Sequence, residues 1–468
     1  MLFSSMTFLF VFMPLVMAVY FLSKKEIRNY VLLIASIIFY AWGEPRYLAI
    51  MIITILVNYA GAILLDKHYS SRQRLWIVSL TIVLDLSFLF YFKYFNFVVD
   101  NINGVLATDF QLLDIIMPIG ISFYTFQAMS YLIDVYRREV PAQKDVYKLA
   151  LYIVLFPQLV AGPIVKYHDV CEQIDNRTIE FKNVIIGFKR FITGLAKKVL
   201  IANTLAEVVD KIFAQAPENL TTGVSWLGAV AYCLQLYYDF SGYSDMAIGL
   251  GLMFGFRFLE NFNYPYISKS ITEFWRRWHI SLATWFKLYL YIPLGGNRKG
   301  AVRTYWNLFA VFLVTGIWHG AAWSYVAWGI WNGIFIVIER FFGLDKDKND
   351  RWYVSAAKHV YAFFAIVWGM IIFRAESLSY AYEYICRMLH IDVTKHLPDY
   401  DYGVNNKFAI MLIVGLICAM PVCRNLIYIK YEHKVQRTLV NIWLFLLFFW
   451  STISLADSTY NPFIYFRF

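Results

Sequence analysis

Two histidines lie in aromatic and largely apolar surroundings, where an ionisable side chain is costly to place. His319 follows Trp318 and precedes Gly320, and His279 follows Trp278. A neutral imidazole accepts a proton near neutral pH, which makes histidine the most frequent general base in enzymes. The two histidines therefore predict proton transfer at a buried site.

A structural role is the alternative for each histidine, because a histidine on an apolar face is more often a satisfied core residue than a catalyst. Small residues surround His319, namely Gly316, Gly320, Ala321 and Ala322. We expect these residues to leave room for a substrate beside the imidazole, which favours catalysis at His319.

The composition is that of an integral membrane protein. Of the 468 residues, 60% are hydrophobic and 16% are charged, whereas soluble domains have roughly 45–50% apolar and 25% charged residues. The net charge of +10 does not indicate nucleic-acid binding, because the basic residues lie in short loops between apolar segments and follow the positive-inside rule. We expect one polytopic all-α membrane domain over residues 1–468, without a metal site, since no Cys/His cluster has ligand spacing.

The apolar segments predict the membrane topology. A transmembrane helix needs about 20 mostly apolar residues, and several segments are too short, so we predict about 11 crossings together with re-entrant or interfacial helices. The first segment is predicted to be a retained span with the basic residues 24–28 in the cytoplasm, because a cleaved signal peptide carries its charges before the apolar part. The candidate segments are residues 6–22, 30–43, 47–65, 76–98, 112–134, 148–163, 184–209, 226–256, 304–318, 322–342, 355–373, 407–429 and 438–456.

Two of these segments contain residues that are unusual in a membrane helix. Residues 156–164 include two prolines and a glycine, which indicate either a re-entrant wall of a cavity or a proline-terminated helix end. Asp239 and Asp245 are six positions apart and do not share a helix face, so we expect each to bind an arginine, a backbone amide or a histidine rather than to form a catalytic pair. Gly249 and Gly251 predict close helix packing.

Residues 268–300 predict an amphipathic helix followed by a basic turn. Ser270 and Glu273 have the spacing of a capping box at a helix start, and a helical wheel places His279 at the edge of the apolar face. Such a helix normally lies in the membrane interface. Its residues Arg276 and Arg277, with Arg298 of the turn, are candidates to bind an anionic acyl donor, and lipid phosphate is the alternative ligand.

Five stretches in this order resemble the membrane-bound O-acyltransferase (MBOAT) family, in particular its bacterial branch. They are residues 156–165 (FPQLVAGPIV), 238–251 (YDFSGYSDMAIGLG), 274–282 (FWRRWHISL), 316–322 (GIWHGAA) and 461–468 (NPFIYFRF). The resemblance implies a ring of tilted transmembrane helices around a central tunnel in the bacterial cytoplasmic membrane. It also implies that His319 is the catalytic histidine and His279 the second histidine of the site.

The resemblance further implies an O-acyltransferase that takes an acyl group from a cytoplasmic thioester, either acetyl-CoA or an acyl carrier protein, without a permanently bound cofactor. The acceptor is an extracytoplasmic hydroxyl, reached directly on a glycan or through a separate transferase of the SGNH-hydrolase type. Chemistry agrees with this implication, because an alcohol attacks a thioester efficiently only when a base such as His319 removes its proton. His279 would orient the donor, stabilise the oxyanion or relay the proton.

Three hypotheses stay open at this point. The first is an acetyltransferase for polysaccharide O-acetylation. The second is a D-alanyl transfer subunit for teichoic acid that uses an acyl carrier protein. The third is a transporter, which broken helices and intramembrane carboxylates would also suit, although the sequence has no inverted repeat.

Overall fold

All regular elements in the described part of the chain are helices, which confirms the predicted all-α class. The computed structural model describes residues 1–67, 70–160, 162–344, 350–390, 400–423, 434–457 and 460. The prediction based on residues 461–468 lies outside these ranges. The chain folds as two compact units: the first comprises Met1–Phe191 and Tyr243–Leu259, and the second comprises Ile192–Gly242 and Glu260–Phe468.

The first unit contains the N-terminal helices. Two stretches of π-helix, Phe8–Phe12 and Phe90–Tyr94, and a 3-10 turn at Pro45–Tyr47 join or extend them. The α-helices are α1 (Met13–Leu22), α2 (Arg28–Ala41), α3 (Leu48–Lys67), α4 (Ser71–Leu89), α5 (Phe95–Leu106), α6 (Ile121–Arg137), α7 (Val146–Val154), α8 (Phe156–Leu159), α9 (Tyr167–Asn176) and most of α10 (Phe181–Ala196).

The second unit contains both histidines of interest. Its π-helical stretches are Lys197–Ala202 and Lys287–Tyr291, and its 3-10 turns are Pro217–Asn219, Pro265–Ile267 and Pro421–Cys423. The α-helices are α11 (Asn203–Phe213), the first part of α12 (Thr222–Met253), α13 (Ile271–Arg277), α14 (Ile280–Phe286), α15 (Ala301–His319), α16 (Trp323–Phe342), α17 (Trp352–Arg374), α18 (Leu378–Leu389), α19 (Asn406–Cys418) and α20 (Lys434–Asp457).

Four helical segments among the described residues are long and apolar enough to cross a membrane: Pro45–Lys67, Ser71–Leu106, Trp352–Arg374 and Val435–Asp457. Three shorter apolar helices, Phe8–Leu22, Arg28–Ala41 and Asn406–Cys418, add to the membrane character. The chain is therefore a membrane protein, and the count of about 11 crossings stays a prediction.

Two predicted segments are wrong in their helical extent. Residues 107–118 are not helical, and α6 begins only at Ile121 because Gly120 turns the chain with a φ of +76°. The segment 148–163 is interrupted after Val154, and helix resumes for one turn at Phe156–Leu159 with Pro157 near its start. Gln158 in this turn is buried and donates to the backbone oxygen of Tyr152 at 2.6 Å. The break is thus covered by protein, as irregular backbone in a membrane protein requires.

The two carboxylates of α12 bind separate cations, as their spacing predicts. Asp245 accepts from Arg190 at 2.8 Å within the first unit, which is one of the expected partners. Asp239 forms an ion pair with Lys198 within the second unit, a partner that we did not predict. Both ion pairs are largely buried. They hold α12 against α10 and against the π-helical stretch Lys197–Ala202, and the two carboxylates do not form a catalytic pair.

Candidate active site

α13 leads to His279, and it begins with the predicted capping box at Ser270 and Glu273. The Ser270 hydroxyl accepts the backbone N–H of Glu273 at 3.0 Å, and the Glu273 carboxylate accepts the backbone N–H of Lys269 at 2.9 Å. The same carboxylate holds Arg277 at 2.9 Å one turn later. The bond to Ser270 satisfies a backbone donor that the first turn of a helix otherwise leaves unpaired, and the bond from Lys269 fixes the residue before the N-cap.

The helix does not continue through His279, and the single amphipathic helix predicted for this region is wrong. α13 ends at Arg277, α14 begins at Ile280, and His279 adopts a left-handed backbone with a φ of +46° and a ψ of +52°. This conformation is unfavourable for a residue with a Cβ atom and persists only where the surroundings impose it. The imidazole of His279 consequently lies at a kink, fully buried, instead of on a helix edge in the membrane interface.

A neighbouring extended segment imposes the kink. The backbone N–H of Asn263 donates to the oxygen of Arg277 at 2.9 Å, and the N–H of Ile280 donates to the oxygen of Asn261 at 3.0 Å. These two hydrogen bonds hold the chain on either side of the break. They compensate for the helical hydrogen bonds that the break removes.

The side chain of Asn261 determines which nitrogen of His279 carries the proton. Its Oδ1 atom accepts the backbone N–H of Ser281 at 3.2 Å and the Ser281 hydroxyl at 2.8 Å. A backbone N–H only donates, so the atom of Asn261 at this position is the oxygen. Nδ1 of His279 lies 3.2 Å from the same oxygen and must therefore donate, which leaves the lone pair of the neutral ring on Nε2.

Burial lowers the pKa of His279 from its ordinary 6.5 to about 3. The ring is accordingly neutral across the physiological range in the folded protein, whereas the unfolded chain takes up a proton below pH 6.5. A base whose pKa lies so far below the working pH is a weak proton acceptor. This property suits His279 for a hydrogen-bonding role better than for the role of principal base.

The same shift predicts a pH dependence of stability. Neutral, buried His279 makes its full contribution to the free energy of unfolding above pH 6.5. The protein loses stability as the pH falls from 6.5 toward 3, and about 2 kcal/mol is lost at pH 5. Thermal unfolding of the wild-type protein and of His279→Gln, followed in detergent at pH 7.5 and pH 5, measures this effect. We expect the wild type to lose more stability on acidification than the variant, and equal losses would contradict a neutral buried His279.

His319 is the last residue of α15 and packs among three aromatic rings. The imidazole makes edge contacts with Trp318, Trp328 and Phe373 at centroid distances of 5.0, 5.0 and 5.2 Å. Only 4% of the residue is exposed. The C-terminal end of a helix carries partial negative charge, so this position stabilises an imidazolium that forms when His319 takes up a proton.

Two of the four small residues near His319, Gly316 and Gly320, serve helix packing and do not leave the space that we expected, whereas Ala321 and Ala322 are partly exposed. A Cβ atom on Gly316 would lie 2.4 Å from the backbone oxygen of Tyr325, and one on Gly320 would lie 2.1 Å from the ring of Tyr325. Gly316 also faces Gly329 of α16. These glycines let α15 and α16 approach closely, and α16 occupies the volume next to them.

An unbroken series of aromatic contacts connects the two histidines within the second unit. Successive ring centroids along it are 4.7–5.7 Å apart. The two histidines are therefore connected through one aromatic cluster, although His279 lies at the kink between α13 and α14 and His319 at the end of α15. From one imidazole to the other, the series is His279, Phe240, Phe262, Trp278, Phe274, Trp275, Trp328 and His319.

Three contacts fix α13 against α16. Trp275 lies 5.5 Å from Trp328 between ring centroids, and its indole N–H donates to Oδ1 of Asn332 at 3.0 Å. The carboxylate of Glu339, which is fully buried, accepts the backbone N–H groups of Ile271 and Thr272 at 2.5 and 2.8 Å. Glu339 thus binds the N-terminus of the short helix whose other end leads to His279.

The three arginines proposed for the donor differ in their surroundings. Arg276 and Arg298 are exposed. Arg277 is held by Glu273 and also donates to the backbone oxygen of Asn263 at 3.1 Å. Arg277 therefore has a structural role at the kink, whereas Arg276 and Arg298 present their charges to solvent.

Comparisons with known proteins identify the family to which this chain is similar. The sequence model described as "MBOAT, membrane-bound O-acyltransferase family" matches residues 37–375. A probable alginate O-acetylase AlgI of Pseudomonas putida is 42% identical over the full length of both chains. A peptidoglycan O-acetyltransferase of Helicobacter pylori is 32% identical over 93% of this chain and 89% of its own. A teichoic acid D-alanyltransferase of Bacillus subtilis is 28% identical over 56% of this chain and 70% of its own.

The chain belongs to the membrane-bound O-acyltransferase family, and it is an O-acyltransferase. The family resemblance read from the sequence is confirmed, and membership decides between the enzyme and transporter hypotheses. Both histidines lie within the matched residues 37–375. Their catalytic roles stay predictions. The sequence analysis did not predict the contacts of Asn261 with His279 or of Glu339 with α13.

Asn261→Leu is expected to lower kcat of acyl transfer about tenfold, because the proton on Nδ1 of His279 loses its acceptor and the ring its orientation. Ser281→Ala is the matched control, since it removes a hydroxyl from the same oxygen of Asn261, together with a longer contact of 3.5 Å to Nδ1 of His279, and leaves the hydrogen bond between Asn261 and His279 in place. Steady-state kinetics in liposomes, normalised to folded protein, compare the two variants. Equal losses in both would count against an orienting role for Asn261.

Proposed function

We propose that this enzyme moves an acetyl group from a cytoplasmic thioester, acetyl-CoA, through a tunnel to a hydroxyl group of a cell-surface polysaccharide. The acceptor is the glycan itself or a serine of a separate extracytoplasmic transferase that passes the group on. The observation that carries the proposal is the placement of two buried histidines, one at the kink between α13 and α14 and one at the end of α15, in one aromatic cluster. Bacterial cytoplasmic membrane is the proposed location.

His319 is proposed as the general base. The acceptor hydroxyl gives its proton to the imidazole while its oxygen attacks the thioester carbonyl carbon. When the tetrahedral intermediate collapses, the carbon–sulfur bond breaks and the imidazolium returns the proton to the leaving thiolate. The apolar rings around His319 favour this direct transfer, because a water-poor site limits hydrolysis of the thioester.

His279 is proposed to orient the acyl donor, since the single proton of the acceptor hydroxyl goes to His319. The Nε2 atom of His279 carries the lone pair when Nδ1 donates to Asn261, so it accepts a hydrogen bond from an N–H or O–H group of the donor. The same tautomer has no Nε2 proton to offer to an oxyanion. Of the three roles considered from the sequence, orientation of the donor agrees better with this tautomer and with the low pKa of His279 than oxyanion stabilisation or proton relay does.

The relatives support a polysaccharide acceptor. Two relatives that align over at least 89% of both chains are a probable alginate O-acetylase and a peptidoglycan O-acetyltransferase, and both names refer to O-acetylation of a polysaccharide. The similarity to teichoic acid D-alanyltransferases is 28–30% and extends over 50–56% of this chain. Because about half of this chain is similar to these proteins, D-alanyl transfer from an acyl carrier protein to teichoic acid is the second candidate function.

Reconstitution distinguishes the two candidates. The purified chain in liposomes is supplied with either radiolabelled acetyl-CoA or a D-alanyl carrier-protein thioester on the outside, and a polysaccharide or transferase acceptor is present. We expect acetyl transfer with acetyl-CoA and none with the D-alanyl thioester. Transfer of D-alanine alone would replace the first candidate by the second.

Charge reversal tests the donor side. Arg276→Glu and Arg298→Glu are expected to raise KM for acetyl-CoA several-fold with kcat retained, and more strongly at low salt, because exposed charges are screened by ions. Lys182→Glu, an exposed cation in the other unit, is the control. Arg277 is not used, since it is held by Glu273. An unchanged KM in both variants would remove these arginines from the donor site.

A further inference from the structure

A cavity of about 330 Å³ with an excess of basic side chains lies in the first unit, whereas both histidines belong to the second unit. We call it the Tyr20 cavity. Lys25 and Glu26, in the connection between α1 and α2, and Arg28, the first residue of α2, contribute part of its wall. The lining includes Tyr20, Lys25, Arg28, Lys148, Asp175 and Arg177.

Two arginines contact the same tyrosine at this cavity. The guanidinium carbon of Arg28 lies 5.3 Å from the ring centroid of Tyr20. Nε of Arg177 donates to the Tyr20 hydroxyl at 3.1 Å, and the guanidinium carbon of Arg177 lies 4.5 Å from the ring centroid of Phe256. The Tyr20 hydroxyl donates to the backbone oxygen of Phe254 at 2.8 Å, which fixes the ring. The cavity is therefore a built site in which two planar cations are held at defined positions.

The charges of these two arginines are not neutralised by protein carboxylates. Among the described residues, Arg28 and Arg177 form no salt bridge, and their hydrogen bonds go to neutral oxygens such as Ser23 O and Asn29 Oδ1. Lys148, in contrast, pairs with Asp175 at 2.7 Å. Four cationic side chains and two carboxylates line the cavity in total, so an excess of positive charge faces it.

We propose that the Tyr20 cavity binds a phosphate group. Guanidinium groups recognise phosphate through paired N–H donors, and the volume admits a phosphate ester rather than only a water molecule. The cavity lies at the ends of two apolar helices, Phe8–Leu22 and Arg28–Ala41, where the headgroups of anionic phospholipids are found. The phosphate belongs either to such a lipid or to a soluble phosphorylated molecule.

Binding to the full-length purified protein tests the proposal and distinguishes the sources. Delipidated protein is titrated with phosphatidylglycerol, with diacylglycerol, which lacks phosphate, and with inorganic pyrophosphate, and complexes are quantified by native mass spectrometry. Phosphatidylglycerol binding that exceeds diacylglycerol binding identifies lipid phosphate. Pyrophosphate binding without phosphatidylglycerol binding identifies a soluble source.

Arg28→Gln is expected to weaken binding of the identified ligand about tenfold, the usual order for loss of a hydrogen bond to an ionic group. Lys182→Gln, an exposed cation of the same unit outside the cavity, is expected to bind as the wild type does. Lys25→Gln provides a second test with an exposed side chain, in case Arg28→Gln does not fold. Binding that is equal in the wild type and in the folded cavity variants, or that is absent for both phosphate ligands, would overturn the proposal.

Discussion

His319→Ala is expected to lose acyl transfer by roughly 10²–10⁴-fold while the protein still inserts and folds. The expected loss is the contribution of a positioned general base, and it should appear in kcat, because the proton moves in the transition state. Transfer of radiolabelled acetyl groups to polysaccharide, measured in liposomes against the amount of folded protein, gives the value. Retention of wild-type turnover would end the general-base role of His319.

The packing around His319 determines how this variant is controlled. The imidazole fills space between Trp318, Trp328 and Phe373, so alanine leaves a cavity that lowers stability as well as removing the base. His319→Gln keeps much of the volume and a polar end but cannot act as the base. We expect both variants to be inactive and His319→Gln to unfold at the higher temperature of the two. His168→Ala, at a side chain that is 65% exposed, should retain full activity.

Residue type and local sequence were sufficient to predict that the two histidines are buried. Each stands beside tryptophans in a sequence with few charges, and burial of an ionisable group in such a context is informative because it is costly. The capping box of Ser270 and Glu273 was equally readable, since its hydrogen bonds join residues close in sequence. The separate partners of Asp239 and Asp245 followed from helical periodicity.

The kink at His279 was not readable from the sequence. The helical wheel over residues 270–289 is continuous, and no proline or glycine interrupts Trp278, His279 and Ile280. Hydrogen bonds from the segment at Asn261 and Asn263 produce the break, and these residues carried no local signal. A tertiary contact therefore overrides a good local pattern at the residue where the chemistry is proposed, as expected at functional sites.

Glu339 had a signal that was not used. It is a carboxylate inside the apolar segment 322–342, and a buried carboxylate must find donors. The sequence did not reveal that the donors are two backbone N–H groups of a helix nearly 70 positions away in the chain. The same limit applies to the glycines near His319, whose small size indicated free space although α16 fills it.

Glu339→Ala is expected to lower kcat of acyl transfer between tenfold and 100-fold. The substitution leaves the buried N–H groups of Ile271 and Thr272 without an acceptor, at a cost of about 1–3 kcal/mol each. α13 then loses its fixed start, and the kink at His279 shifts with it. Loss of kcat per folded enzyme molecule, with KM for the acyl donor little changed, is the expected result in liposomes.

Tyr361→Phe is the matched control for Glu339. The Tyr361 hydroxyl donates to the same carboxylate at 3.1 Å, so Tyr361→Phe perturbs Glu339 without changing its hydrogen bonds to the backbone of α13. Loss of this partly exposed hydrogen bond costs about 0.5 kcal/mol. We therefore expect less than a threefold loss of kcat. Glu339→Gln retains one acceptor oxygen and should recover part of the activity lost in Glu339→Ala. A purely structural Glu339 would lower the yield of folded protein in both Glu339 variants and leave kcat of the folded fraction unchanged. A positioning role for Glu339 instead predicts that kcat of the folded enzyme falls from the wild type to Glu339→Gln and further to Glu339→Ala, as the number of acceptor oxygens available to α13 decreases.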